Sequence, residues 1–185
     1  MSTAHPDFVK AKQNHDKGVE GDEAAVEIAY QMFKKLQKAK PSDPLIQAYY
    51  GSTVTLVGRD ASKNKERIKV ANHGLEILDR VVNQVPNHIE VRLLRAYVNS
   101  RIPEKYFKRT DQAIEDLEYL KTRYEKDSSI FPQDQYEDIL YELSNAYKRS
   151  NNSDQAKLIE KKLLSVNPKF DRSLGKKKKK RKKEG

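Results

Sequence analysis

The sequence has no cysteine and no tryptophan, and only seven glycines and seven prolines among its 185 residues. Without cysteine it can form neither a disulfide framework nor a thiolate metal site, which suits a reducing compartment. No apolar stretch approaches the roughly 18 residues that a membrane span needs. Residues 1–13 are polar and lack the apolar segment of a secretory signal. We therefore expect a soluble, cytoplasmic protein.

The formal net charge of +10 is concentrated near the C-terminus. Of the 37 basic and 27 acidic residues, the run KKKKKRKK holds eight and the following Glu184 one, which leaves a nearly balanced 29 and 26. Eight adjacent cations repel one another and offer no apolar face, so residues 173–185 are predicted to be a disordered tail. The tail is either solubilising or a polyanion-binding segment for RNA, and in a eukaryote it would suggest nuclear import. Its candidate binding residues are Lys176, Lys177, Lys178, Lys179, Lys180, Arg181, Lys182 and Lys183.

Apolar residues elsewhere recur at steps of three and four, which predicts amphipathic helices and no strands. Asp22 is suited to cap one helix that Pro41 ends, and Asp43 with Pro44 begins the next. The pattern predicts helices over about residues 7–17, 22–40, 43–57, 64–84, 87–101, 110–125, 133–149 and 154–166. The fold class is therefore predicted to be all-α.

A small residue, a larger residue four positions later and a proline eight positions after that recur along the chain. The three copies are Ala29, Phe33, Pro41; Gly74, Leu78, Pro86; and Ala156, Glu160, Pro168. Small residues let two helices approach closely, and the proline breaks the chain between units. We therefore expect helix crossings at Gly51, Gly74, Ala96, Ala113 and Ala156.

With this spacing the chain resembles the tetratricopeptide repeat family, whose signature is W-x2-L-G-x2-Y, A-x3-F and P over about 34 residues. The best copy combines Leu143-Ser144 with Tyr147, Ala156 and Pro168, while Arg95-Ala96 fills the Leu-Gly position of another copy. From Gly51 to Gly74 is 23 residues, against about 12 in the family, which implies an insertion around residues 58–65. The resemblance implies a right-handed stack of antiparallel helix hairpins, an α-solenoid of three to four units over residues 1–172.

The resemblance also implies that the leading helix of each hairpin lines a concave groove for a peptide or helix. A clamp for C-terminal carboxylates is not predicted, because Ala48 and Leu93 stand where the family's clamp residues would be. Ordinary surface remains the alternative for every groove position. The predicted groove residues are Ser52, Thr55, Leu93, Tyr97, Arg101, Tyr141, Asn145 and Lys148.

No motif for catalysis, a cofactor or a metal is present. The four histidines are scattered, and acidic clusters such as Glu115, Asp116 and Glu118 are interpreted as solvated helix faces. We expect a non-catalytic protein-interaction module or scaffold with no cofactor. The alternative is a nucleic-acid- or ribosome-associated factor attached through the basic tail. Loss of all association on tail removal would favour the alternative.

Overall fold

A computed structural model describes residues 6–171, which form nine α-helices joined by short turns and contain no strand. The all-α prediction is therefore confirmed for this part of the chain. The helices are α1 (Pro6–Val19), α2 (Glu23–Ala39), α3 (Pro44–Asp60), α4 (Asn64–Gln84), α5 (Ile89–Arg101), α6 (Glu104–Phe107), α7 (Thr110–Lys126), α8 (Gln133–Arg149) and α9 (Ser153–Val166). None of the helices within residues 6–171 is long and apolar enough to cross a lipid bilayer.

Side-chain caps explain where several helices begin. The Asp22 carboxylate accepts a hydrogen bond from the Ala25 amide at 3.0 Å, and Asp43 accepts from the Leu45 and Ile46 amides at 3.0 and 3.1 Å. These carboxylates satisfy amides that have no partner within the first turn of a helix. The predicted cap at Asp22 and the predicted start at Asp43 are confirmed.

The predicted end of α3 at residue 57 is wrong, because the helix continues through Gly58 to Asp60. A Cβ atom on Gly58 would lie 2.6 Å from the backbone nitrogen of Ala71 in α4. Gly58 is therefore a helical residue at a close crossing of α3 and α4. Most of the predicted insertion, residues 58–65, belongs to the two helices, and only residues 61–63 lie between them.

The chain forms two compact units, Met1–Asp116 (unit 1) and Leu117–Gly185 (unit 2), and the boundary falls inside α7. In unit 1, α1 packs on α2 and α3 on α4, and turns of three residues make each pair a helical hairpin. α3 also contacts α1, α2 and α5, so most of its side chains are buried. The core of unit 1 includes Phe33, Ile46, Leu78, Val81 and Val91.

Gly51 and Gly74 let α3 and α4 approach closely. A Cβ atom on Gly74 would lie 2.6 Å from the carbonyl oxygen of Gly51, and one on Gly51 would lie 3.1 Å from the carbonyl oxygen of Gly74. The predicted crossing at these two glycines is therefore confirmed. The alanines predicted at other crossings, Ala96, Ala113 and Ala156, are all buried.

In unit 2, α8 packs against α9. Tyr124, from the unit-2 part of α7, stacks on Tyr136 and Phe131 with ring centroids 4.1 and 5.0 Å apart. Tyr147 is half-buried and its hydroxyl donates to the Glu118 carboxylate at 2.9 Å, so its polar end lies at the rim of the core.

Candidate functional site

Three predicted groove residues form one face of α5 in unit 1. Leu93 and Tyr97 are half-buried and Arg101 is exposed. They stand four residues apart, so their side chains follow one another along the helix. The Arg101 guanidinium carbon lies 5.0 Å from the centroid of the Tyr97 ring, within the range of a cation–π contact. The face thus offers an apolar side chain, an aromatic ring and a cation in sequence.

Ser52 and Thr55, the other predicted groove residues of unit 1, lie in its interior. Their exposed fractions are 3% and 6%, because α3 is enclosed by four other helices. The Thr55 hydroxyl donates to the Ser52 carbonyl at 2.7 Å. Both therefore lack the exposure that a partner-contacting residue needs.

The predicted groove residues of unit 2 lie on α8. The Tyr141 ring packs tilted against Phe170 with centroids 5.7 Å apart, and Asn145 is half-buried one turn further on. Lys148 forms an ion pair with Glu160 of α9, and the hydrogen bond from its ammonium lowers the pKa of that carboxyl. The three residues share one side of α8 through their spacing of four and three.

The predicted polyanion-binding residues, Lys176 to Lys183, lie outside the described residues.

His15 joins a serine and an aspartate in a Ser–His–Asp arrangement. Its Nε2 atom lies 2.8 Å from the Ser52 hydroxyl, and its Nδ1 atom lies 3.1 Å from the Asp16 carboxylate. Hydrolases use such a triad with an accessible serine and amides free to bind an oxyanion. Here the serine is buried within α3, where helical amides are already bonded, and the aspartate is the exposed member.

The arrangement therefore works as a buried polar link between α1 and α3. Sequence reasoning missed it because His15 and Ser52 are 37 residues apart. The available signal was the helical phase of His15, which follows the buried residues Phe8 and Ala11 on the inward face of α1.

A buried ion cluster holds α5 against α7. The side chain of Asp116 is fully buried and accepts hydrogen bonds from Arg92 at 2.6 Å and from Arg95 at 2.6 and 2.9 Å. Burial raises the pKa of the Asp116 carboxyl, although both guanidiniums oppose this rise. Burial lowers the pKa of Arg95, but the bonds and charge of Asp116 outweigh it and the net shift is upward.

The interpretation of Asp116 as part of a solvated face is therefore wrong. Arg95, which the resemblance assigns to a leucine position, is compatible with burial because Asp116 neutralises it. The cluster fixes the inner side of α5, the helix whose outer face carries Tyr97 and Arg101.

The cluster continues to α4 through Asp79, which accepts from Arg95 at 3.3 Å and from Arg109 at 2.5 Å. Arg109 also donates to the Asn99 side chain at 3.1 Å. α4, α5 and the start of α7 are thus tied by charge-assisted hydrogen bonds, which are stronger than neutral ones.

Within residues 6–171 no three His, Asp or Glu side chains converge in a way that could hold a metal ion. No model of a known protein family matches the chain, and no curated protein matches it.

Proposed function

We propose that the chain is a non-catalytic tetratricopeptide-type interaction module that binds a peptide or helix of a protein partner. The observation that carries this proposal is the α5 face, where Tyr97 lies under Arg101 beside Leu93. The opposite side of this helix is bonded to the Asp116 carboxylate through Arg95. Tyrosine and arginine are over-represented among residues that dominate binding energy. A preorganised face also loses less entropy when it binds.

The packing order of unit 1 supports the repeat part of the proposal. From α1 to α5 each helix contacts the next, and the leading helices α1, α3 and α5 contact one another in turn. Contacts restricted to neighbouring units are typical of stacked helical repeats. In unit 2 the α8–α9 pair is a further helical hairpin, and Tyr141 and Asn145 are the corresponding groove residues on its leading helix.

The test compares partner capture by the full-length protein and by its Tyr97→Ala/Arg101→Ala variant, read by quantitative mass spectrometry. The matched control is Tyr119→Ala/Arg123→Ala, since this pair has the same spacing and a ring–guanidinium distance of 6.0 Å. We expect the α5 variant to lose its specific partners while the control retains them. Equal loss in both variants, or no loss in either, would contradict the proposal. Circular dichroism verifies that each variant stays helical.

The second candidate function is attachment to RNA or ribosomes through the KKKKKRKK run. Clustered cations bind polyanions by releasing condensed counterions, without reading sequence. A variant ending at residue 174 discriminates the two functions. If it loses every association that the full chain makes, the tail is the main attachment and the groove is secondary. In either case the location we propose is the cytoplasm, or the nucleus in a eukaryote.

A further inference from the structure

The segment between α5 and α7 is basic, and its acidic residue is turned inward. Residues 101–109 read RIPEKYFKR, with four cations and one carboxylate. That carboxylate, Glu104, accepts from the Arg109 and Thr110 amides at 2.9 Å each and from the Thr110 hydroxyl at 2.7 Å. It thereby caps the start of α7, and the backbone amides there stabilise its negative charge.

The outward side of the segment carries cations around an exposed ring. Tyr106 is 58% exposed, and the Lys105 ammonium lies 5.7 Å from its ring centroid. Lys108 follows two residues later in a left-handed conformation, with φ of 51°, and is exposed as well. Lys105 and Lys108 form no ion pair with another residue in the described range 6–171. The next acidic residue along the chain, Asp111, already belongs to α7.

The backbone that carries Tyr106 is fixed by its surroundings. Phe107, the next residue, is half-buried, and α6 is a single turn closed by a hydrogen bond of 2.9 Å from the Lys108 amide to the Glu104 carbonyl. The two lysines therefore flank Tyr106 within about one helical turn. With 58% of its surface exposed, Tyr106 is accessible to a base.

We propose that this α6 surface, consisting of Lys105, Tyr106 and Lys108, binds single-stranded nucleic acid. Tyr106 stacks on a base while the lysines contact the flanking phosphates, which is how proteins bind single strands without reading sequence. An acidic peptide would satisfy the lysines but would leave the ring without a stacking partner. The surface contains neither a groove residue nor a tail residue, so the inference is independent of both proposed functions.

The first test uses the absence of tryptophan from the chain. In the full-length protein, Tyr106→Trp introduces a single tryptophan at the stacking position, and its emission can be excited apart from that of the tyrosines. We expect 12-residue oligoadenylate, as RNA or as DNA, to quench it. The matched control is Leu158→Trp on α9, because Leu158 is 59% exposed and is followed by Lys161 three residues later. Equal quenching at both positions, or none at Tyr106→Trp, would overturn the proposal.

The second test separates this surface from the basic tail by salt dependence. Each phosphate contact on a single strand adds about 0.7 to the log–log slope of affinity against salt, so Lys105→Gln/Lys108→Gln should reduce the slope by about 1.4. Tyr106→Ala should weaken binding roughly tenfold and leave the slope unchanged, since it removes stacking alone. Lys157→Gln/Lys161→Gln on α9 controls for loss of charge. An equal change in slope with that control would overturn the proposal.

Comparing the probes identifies the ligand class. Unequal quenching by RNA and DNA would identify the preferred strand, and equal quenching would show that the sugar is not read. Polyglutamate of matched charge should neither quench Tyr106→Trp nor displace oligoadenylate from it. If polyglutamate does both, the surface recognises an acidic protein and the nucleic-acid proposal is wrong.

Discussion

Asp116 occupies a helical position that is otherwise apolar. In α7 it stands three residues after Ala113 and four before Leu120, both of which are fully buried. Helical phase therefore places its carboxylate in the core, where an unpaired charge would be very costly. The two arginines of α5 make this burial possible. A buried ion cluster of this kind adds little stability relative to apolar residues of similar size. Removing the aspartate, however, leaves both arginines buried without their shared partner.

We therefore expect Asp116→Ala to lower the free energy of unfolding by about 3–5 kcal/mol, measured by urea denaturation. The control is Asp111→Ala five residues earlier, where the side chain is exposed and the change should stay within about 0.5 kcal/mol. Adding Arg95→Leu to Asp116→Leu restores the apolar residue of the repeat position and should recover part of the loss. A loss no larger than that of Asp111→Ala would contradict the assigned role of the cluster.

Tyr147 should make the protein sensitive to alkali. Burial, followed by the hydrogen bond to Glu118, raises the pKa of Tyr147 to about 12. The unfolded chain ionises its tyrosines near pH 10, so this stabilising contribution is complete below about pH 10 and is lost as the pH rises toward 12. Tyr147→Phe should reduce the fall in the free energy of unfolding between about pH 9 and about pH 11.5, a range that spans the ordinary tyrosine pKa. Denaturation experiments across this range measure the effect. An unchanged pH profile would show that the hydroxyl has an ordinary pKa.

At the level of the helices, the crossing of α3 and α4 restricts which residues can stand at positions 51, 58 and 74. Helix propensity alone favours Gly74→Ala by about 1 kcal/mol, since glycine is a poor helix former. The added Cβ, however, would lie 2.6 Å from the Gly51 carbonyl oxygen and 2.8 Å from the Thr55 backbone nitrogen. Backbone atoms cannot turn aside as a flexible side chain can, so the two helices would have to separate.

Gly74→Ala is accordingly expected to destabilise the protein by about 1–3 kcal/mol, the usual cost of overpacking. Thermal and urea denaturation measure this change. Asn72→Ala on the exposed side of the same helix is the control, and it should be neutral or slightly stabilising. If Gly74→Ala stabilised the protein as Asn72→Ala does, the two helices would lie further apart than the 2.6 Å Cβ distance implies.

Helix positions were largely predictable because they depend on local signals. Periodicity, Asp22 and Pro44 placed α2, α3 and α4 within a few residues of their observed bounds. The single turn of α6 has no periodicity to detect. The predicted end of α3 falls three residues early, because Gly58 continues the helix at its crossing with α4. The depth of Asp116 depended on Arg92, which is 24 residues away, and on how α5 meets α7. Such pairings need tertiary contacts, which spacing along the chain does not specify.

The site was less predictable than the fold for the same reason. Helical phase brought Leu93, Tyr97 and Arg101 onto one face of α5, since that requires only regular spacing. It could not show that Ser52 would be enclosed, because its burial results from α1 packing across α3. The groove prediction requires each leading helix to have one exposed side. α3 has little exposed surface, so its predicted groove residues are buried.

At the scale of the whole molecule, charge is distributed very unevenly along the chain. The run KKKKKRKK supplies eight of the 37 basic residues, while the remaining 29 are nearly matched by acidic ones. Within residues 6–171 many charges are paired, as in Lys162 with Glu125 at 2.5 Å and Lys121 with Glu118 at 2.9 Å. A polyanion that approaches the protein therefore meets its highest positive charge density at the tail.

If about six of the eight cations engage phosphates of single-stranded RNA, the tail should contribute about −4 to the log–log slope of affinity against salt, at about −0.7 per contact. Fluorescence anisotropy with a labelled oligonucleotide across a salt series measures this slope. Replacing all eight cations by glutamine in the full-length protein should remove most of it, and any remainder should match the two contacts proposed for Lys105 and Lys108. Binding should not depend on base sequence, because phosphate contacts carry none of that information. An identical slope with and without the tail charges would leave the run a solubilising segment and assign RNA binding to the folded part of the chain.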